Sequence, residues 1–122
     1  MKNDIQADTP ILVFCTTPTK QEAQELANGI VRHKHAACVN IVDAIESVYS
    51  WQGRIVMDNE YLLKIKTLGR HFEGLQAFIK SQHSYDVPEI TAVNMCAISD
   101  EYAQWLIDSL TPSSNQQQGQ TE

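Results

Sequence analysis

Two long segments with strand-like hydrophobic patterns, joined by a short turn, dominate the region from Cys38 to Thr67. The first, Val39 to Tyr49, is rich in valine, isoleucine and alanine, and the second runs from Arg54 to Lys66. The last part of the second segment alternates between two faces, with Tyr61, Leu63 and Ile65 on one and Glu60, Leu62, Lys64 and Lys66 on the other. Alternation with a period of two predicts a β-strand that buries one face. The joint Ser50–Gly53 places glycine where a tight turn favours positive φ, so the pattern predicts a β-hairpin.

The predicted hairpin is too long for one small subunit to cover. Strands in ordinary domains span roughly 3–10 residues. The far end of the hairpin carries Tyr49, Trp51 and Ile55, which would otherwise face water. We therefore expect these three side chains to contact a neighbouring subunit, and we predict an obligate oligomer.

The remaining hydrophobic pattern predicts strands and helices on both sides of this hairpin. Thr19 and Glu22 have the spacing of a capping box, and Ser99 precedes two acidic residues, so each site predicts the start of a helix. Pro88 excludes helix at the entry to the last strand. The predicted strands cover about 11–17, 37–50, 53–67 and 89–98, and the predicted helices cover about 19–34, 71–82 and 99–110.

The element order predicts an α+β fold. The arrangement βαββαβ followed by a C-terminal helix is that of a ferredoxin-like sandwich, with an antiparallel sheet and helices on one face. Right-handed crossovers place the third strand between the first and second, and the first strand between the third and fourth. The helix-free face of this sheet keeps apolar side chains, which a second subunit would cover.

Composition and charge limit the classes of partner. The chain has 122 residues and a formal net charge of −6, with no basic cluster, so we expect neither nucleic acid nor membrane as a partner. We predict one domain at 11–110, a flexible segment at 1–10 and a disordered tail at 111–122. The absence of a signal-like segment predicts a cytoplasmic protein, in which three widely spaced cysteines would be reduced thiols.

An ordered set of short segments is recognisable along the chain: Cys15–Pro18, Ala36–Asn40, Tyr49–Ile55, Glu60–Tyr61, Lys64, Thr67, His83–Ile90, Tyr102 and Trp105–Leu106. In this order the segments resemble the CutA family, which is named for divalent-cation tolerance. The resemblance covers about residues 11–110. It implies a ferredoxin-like fold, a homotrimer built through long hairpins, and a link to copper and other divalent metals.

Cys15, Cys38 and His83 are the candidate metal ligands, because thiolate and imidazole groups suit copper and zinc. Cys96, late on the predicted last strand, is a fourth candidate ligand. The first and second strands, which carry Cys15 and Cys38, are separated by another strand, so about 9.5 Å lies between them. One ion cannot bond both sulfurs at about 2.3 Å. A site with several of these ligands would cross a subunit boundary, and otherwise each cysteine is a small buried apolar residue.

A second candidate site combines Asn40, Lys64, Tyr85 and Glu89. Lys64 lies in an apolar stretch and Glu89 follows Pro88. The resemblance places such positions near clefts between subunits. They would form either a pocket for a small anion or metal, or a Lys–Glu pair that fixes the register of the trimer.

Two functions follow from these features. The first is a trimeric protein of divalent-cation binding or tolerance, with copper or a similar cation as its ligand. The alternative is a trimeric signalling or scaffold module, similar to the PII proteins, that binds a small ligand or partner at the clefts. No nucleophile elbow, phosphate loop or acid–base pair is recognisable, so we do not expect an enzyme.

Overall fold

The structure of the protein, a computed structural model, describes residues 3–112. In chain order, its elements are β1 (Pro10–Thr17), α1 (Lys20–Arg32), β2 (Cys38–Trp51), β3 (Arg54–Leu68), a turn of 3₁₀ helix (Gly69–His71), α2 (Phe72–Gln82), β4 (Thr91–Asn94) and α3 (Asp100–Leu110). The predicted order of strands and helices is therefore confirmed.

All four strands form one antiparallel sheet in the order β2-β3-β1-β4. This is the predicted topology, with β3 between β1 and β2. On β3, Leu63, Ile65 and Thr67 are completely buried and face the helices α1 and α2. The period-two pattern therefore identified the core face of this strand correctly.

The predicted helix starts are confirmed at both capped positions. Thr19 Oγ1 accepts a hydrogen bond from Glu22 N at 3.1 Å, and Ser99 Oγ accepts one from Tyr102 N at 3.2 Å. Each bond satisfies a backbone N–H that has no partner within the helix. These two caps explain why α1 and α3 begin where the sequence indicates.

The third helix corrects the prediction that the helices lie on one face of the sheet. Leu68 packs with Leu106 and Leu110 of α3 in a cluster that is separate from the main core. The Lys66 ammonium lies 5.7 Å from the centre of the Tyr102 ring. Lys66 and Leu68 alternate with the core-facing Thr67, so α3 covers one end of the second face.

The last strand is shorter than predicted, with bounds of Thr91–Asn94 against 89–98. Its only strand partner in the described chain is β1, and their pairing runs from Phe14–Thr91 to Ile11–Asn94. β1 begins at Pro10, next to the Ile11 that pairs with Asn94, so beyond Asn94 β4 has almost no β1 left to pair with. Cys96 consequently lies outside β4 and is exposed, which corrects its placement on the last strand.

The hairpin of β2 and β3 extends well beyond the rest of the sheet. A two-residue turn at Gln52 and Gly53, with φ of 51° and 77°, closes it, and positive φ at both positions is typical of a type I′ turn. β1 pairs with β3 only from Tyr61 onward, so residues 45–51 and 54–60 pair only with each other. These residues form a two-stranded ribbon, which we call the ribbon below.

A β-bulge separates this ribbon from the sheet. The pairing shifts between Val42 and Ile45, and Ala44 has a φ of 57°. A bulge inserts an extra residue into one strand and increases its twist. The sequence analysis did not predict it, because alanine is an unusual residue for positive φ.

The N-terminal segment packs against the turn that follows β3. Gly69 N donates to Thr9 O at 2.8 Å and Arg70 N donates to Ala7 O at 3.0 Å, while Ile5 packs against the core. The predicted flexibility of residues 1–10 concerns motion and stays a prediction. Of the predicted disordered tail, residues 113–122 lie outside the described chain.

Replacing Gly69 with alanine should lower the free energy of unfolding by about 1–3 kcal/mol, because overpacking displaces the backbone. An added Cβ would lie 1.9 Å from Gln6 O. Gly74→Ala is the matched control, since its Cβ would meet nothing nearer than 3.4 Å and alanine favours the helix. Urea unfolding at one fixed protein concentration measures the free energy of unfolding of both variants. Equal stability of the two variants would contradict the packing described for residues 5–9.

Candidate functional site

A buried carboxylate lies at the base of the ribbon, where β1 ends. Glu60 is only 8% exposed. It accepts hydrogen bonds from Ser47 Oγ at 2.6 Å and from Tyr85 Oη at 2.8 Å. Two hydroxyl donors offset part of the cost of burying the acid, and they fix its orientation.

This carboxylate forms part of a groove of about 530 Å³ between the ribbon and the loop that follows α2. The ribbon contributes Tyr49, Trp51 and Glu60, and the loop contributes Ser84, Tyr85, Asp86 and Val87. The volume is in the range of small-molecule sites. The groove is therefore a concave site of ligand size that combines aromatic and charged groups.

The loop is held in place by His83, whose side chain is fully buried. The ring Nε2 lies 2.7 Å from Thr16 O, and Tyr85 N donates to Nδ1 at 3.0 Å. In this geometry Nε2 donates to Thr16 O and Nδ1 accepts from Tyr85 N, and Glu22 Oε2 lies 3.4 Å from Nδ1. Both ring nitrogens are thus occupied, so a metal ion could bind His83 only after one of these bonds breaks.

A second anchor for the loop comes from α1. Glu22 accepts hydrogen bonds from Ser84 N at 2.9 Å and from Ser84 Oγ at 2.8 Å. The capping box predicted for Thr19 and Glu22 is therefore only half formed, since the Glu22 carboxylate reaches the loop. The contact joins the start of α1 to the groove wall.

Both tyrosines of the groove are protonated donors. Burial, followed by the hydrogen bond to Glu60, raises the pKa of Tyr85 above its ordinary range. The hydrogen bond from Tyr49 to Asp58 raises the pKa of Tyr49 in the same direction. Each phenol therefore keeps its proton and donates a hydrogen bond to a neighbouring carboxylate.

The structure does not bring the three candidate metal ligands together. Cys15 on β1 is opposite Leu63, whereas Cys38 on β2 is opposite Lys66, with β3 between them. Burial, with smaller contributions from Glu89, Glu22 and Glu60, raises the pKa of the Cys15 thiol to about 12. Cys15 is therefore a neutral thiol at physiological pH, and thiolate is the form that binds metals.

Within residues 3–112, no three His, Cys, Asp or Glu side chains lie close enough together to hold a metal ion. Cys38 is half-buried and Cys96 is exposed. These two thiols are the ones in reach of a ligand from outside the chain.

The predicted cleft set separates into three places. Asn40 and Lys64 are directly opposite each other on β2 and β3. Tyr85 binds Glu60, and Glu89 accepts a hydrogen bond from Thr91 Oγ1 at 2.9 Å. The described chain contains no ion pair between Lys64 and Glu89. A Lys–Glu pair across a subunit boundary stays a prediction.

The predicted interface set lies on both faces of the ribbon. Tyr49 is opposite Val56, and Trp51 is opposite Arg54, so both aromatic side chains lie on the groove face. Ile55 is opposite Ser50 and therefore lies on the other face. There it continues an apolar stripe with Val48 and Met57, and the three are 75%, 60% and 61% exposed.

Sequence reasoning missed the acids that shape the groove. Glu60 was assigned to the open face of β3, and neither Asp58 nor Asp86 was a candidate. A signal existed, because Asp58 and Glu60 are two positions apart and therefore lie on one face of a strand. The partners Ser47 and Tyr85 come from separate segments, however, and only the folded chain places them against Glu60.

Together, the fold and groove define a class of protein: a small α+β ferredoxin-like domain with a protruding ribbon. None of the helices in residues 3–112 is long and apolar enough to cross a membrane. The chain belongs to the CutA1 divalent ion tolerance protein family, whose sequence profile matches residues 11–109.

Known proteins from plants and bacteria are similar to this chain. It is 46% identical over 99 residues to the chloroplastic protein CutA of Arabidopsis thaliana, covering 81% of this chain and 54% of that protein. It is 41% identical over 95 residues to the divalent-cation tolerance protein CutA of Thermus thermophilus, and the match covers 78% of this chain and 92% of that protein. The crystal structure of CutA1 from Oryza sativa superposes with a TM-score of 0.83 at 41% identity, covering 88% and 98%. The chain spans little more than half the length of the Arabidopsis protein.

Proposed function

We propose that this protein acts in tolerance of divalent cations, copper among them, as a homotrimer and without catalysis. Family membership supports the role in cation tolerance. The exposed stripe of Val48, Ile55 and Met57 on the ribbon supports assembly, because side chains of this kind rarely form a continuous patch on a monomer. The predicted cytoplasmic location stays a prediction.

The ribbon is the observation that carries the proposed trimer. Its residues pair only with each other, so each edge of the ribbon has backbone groups without a strand partner in the described chain. Exposed strand edges and apolar stripes invite association with another chain. A closed ring of three subunits covers both the strand edges and the apolar stripe, because each ribbon then contacts the next subunit.

Copper binding in this proposal depends on contacts between subunits. The described part of one chain holds no group of three suitable ligands, and Cys15 is buried as a neutral thiol. Cys38, at the start of β2, is the accessible member of the predicted ligand set. A second ligand for the same ion would then come from another subunit.

Cys38→Ser should weaken copper binding by at least about tenfold, whereas Cys15→Ser should leave it unchanged. The reason is that Cys38 is reachable and Cys15 is not. His83→Ala should also leave the copper affinity unchanged, since both ring nitrogens are already hydrogen-bonded to the backbone of the chain. Titration of each variant with copper and with zinc provides the measurement. Unchanged affinity in Cys38→Ser would remove Cys38 as a ligand.

A further inference from the structure

The groove is lined by acids and contains no basic side chain. Glu60 and Asp86 line it, and Asp58 lies beside it on the same face of the ribbon, bonded to Tyr49. The basic residues on the same face of β3 are Arg54 at the hairpin turn and Lys64 and Lys66 beyond Glu60, and none of them lines the groove. The charge of the site therefore favours a cation.

Aromatic rings form much of the wall around these acids. Tyr49 and Trp51 project from the ribbon, and Tyr85 faces them from the loop. Trp51 is 60% exposed, so its ring is accessible from the open side of the groove. Aromatic faces attract ammonium and guanidinium groups through their quadrupoles, and the effect is strongest for tryptophan.

The spacing of the acids favours an extended organic cation over a metal ion. In residues 3–112, no three acids, histidines or cysteines converge closely enough to hold a metal. An organic cation needs no such convergence, because it spreads its contacts over carboxylates and rings. Glu60 accepts two hydrogen bonds within the chain and has oxygen lone pairs left for a donor.

We propose that the groove between the ribbon and residues 83–87 binds a small organic cation with N–H donors, either an alkylammonium or a guanidinium compound. Its charged head would lie at Glu60 and Asp86, and its apolar chain would pack against Tyr49, Trp51 and Val87. This site is separate from the proposed copper ligand, since Cys38 lies at the opposite end of β2.

The inference and the proposed trimer rest on different observations. The apolar stripe of Val48, Ile55 and Met57 lies on the face of the ribbon that points away from the groove. Tyr49 and Trp51, which line the groove, also belong to the predicted interface set, so a neighbouring subunit borders the groove in the proposed trimer. Failure of the cation site and failure of the trimer are consequently observed in separate measurements, one by ligand titration and the other by light scattering.

Calorimetric titration of the full chain with agmatine, which carries one guanidinium and one ammonium, tests the proposal. We expect saturable binding accompanied by a change in tryptophan fluorescence, because Trp51 lines the groove. Glu60→Gln and Asp86→Asn should each weaken binding by about tenfold, since each removes a charged acceptor. Asp86 is exposed, so its variant stays informative if Glu60→Gln fails to fold.

Glu46→Gln is the matched control. It makes the same chemical change on the same hairpin, but Glu46 lies on the opposite face of the ribbon from Ser47 and Tyr49. This variant should bind agmatine as the parent protein does. Equal losses in Glu46→Gln and Asp86→Asn would show a general charge effect and overturn the proposal.

Two other ligands complete the test. Adipate, a dianion, should not bind, and tetramethylammonium, a cation without N–H donors, should bind at least about tenfold more weakly than agmatine. The proposal is overturned if agmatine does not bind, or if either of these ligands binds as tightly. Displacement of agmatine by zinc, with loss of zinc affinity in Asp86→Asn, would instead identify a metal site and also overturn it.

Discussion

Replacing Ile55 with aspartate is expected to dissociate the protein at micromolar concentration. Ile55 is 75% exposed in the single chain, where a charged residue would change stability very little. In the proposed trimer, the same residue is buried against another subunit together with Val48 and Met57. A charge placed there should cost about 2–4 kcal/mol per interface, as for other central interface residues.

Light scattering across a thousandfold dilution measures this effect. The parent protein should keep the mass of a trimer, and the variant should not. Because folding and assembly are linked, the thermal midpoint of the variant should also fall and depend on concentration. Gln52→Asp is the control, since Gln52 is at the exposed turn with a φ of 51°, which aspartate tolerates. A parent protein that stays folded as a monomer would refute the proposed assembly.

Tyr85→Phe should lower the free energy of unfolding by about 1–3 kcal/mol, because it leaves the buried Glu60 with one of its two hydroxyl donors. Tyr49→Phe is the matched control. It removes the same atom from a tyrosine of the same groove, but its partner Asp58 lies on the exposed part of the ribbon. Urea unfolding at a fixed protein concentration should show a much smaller change for Tyr49→Phe.

The dependence of stability on pH provides a second readout for Tyr85. Its pKa in the folded chain is raised above the ordinary value of 10.0, so folding favours the protonated phenol. This contribution is complete below pH 10 and is lost as the pH rises through the higher folded pKa. The parent protein should therefore lose stability above pH 10 more steeply than Tyr85→Phe. Parallel pH profiles would show that the Tyr85–Glu60 bond does not stabilise the fold.

Local patterns in the sequence predicted most of the fold. The alternation on β3 identified Leu63 and Ile65 as core residues, and the caps at Thr19 and Ser99 placed the starts of two helices. These features depend on neighbours within a few positions along the chain, which is why a single sequence reveals them. The topology followed from the handedness of crossovers.

The predicted interface set stays a prediction, and it shows what such patterns leave open. Tyr49, Trp51 and Ile55 were grouped because all three are large and close to the turn. The two-residue turn at Gln52 and Gly53 sets a register that places Ile55 on the other face of the ribbon from the two aromatics. A shift of one residue changes the face of every side chain, and the four-residue joint seen in the sequence left that register open.

The sequence by itself determined the strands, the capped helices, the order of the sheet and the family, because each depends on local periodicity or ordered motifs. Only the tertiary structure decided that α3 covers the second face and that β4 stops at Asn94, since both depend on which strands remain available for pairing. It alone also placed Tyr85 and Ser47 on Glu60. Those three residues come from a loop and two strands, and a contact between distant segments has no signature in the residues beside it.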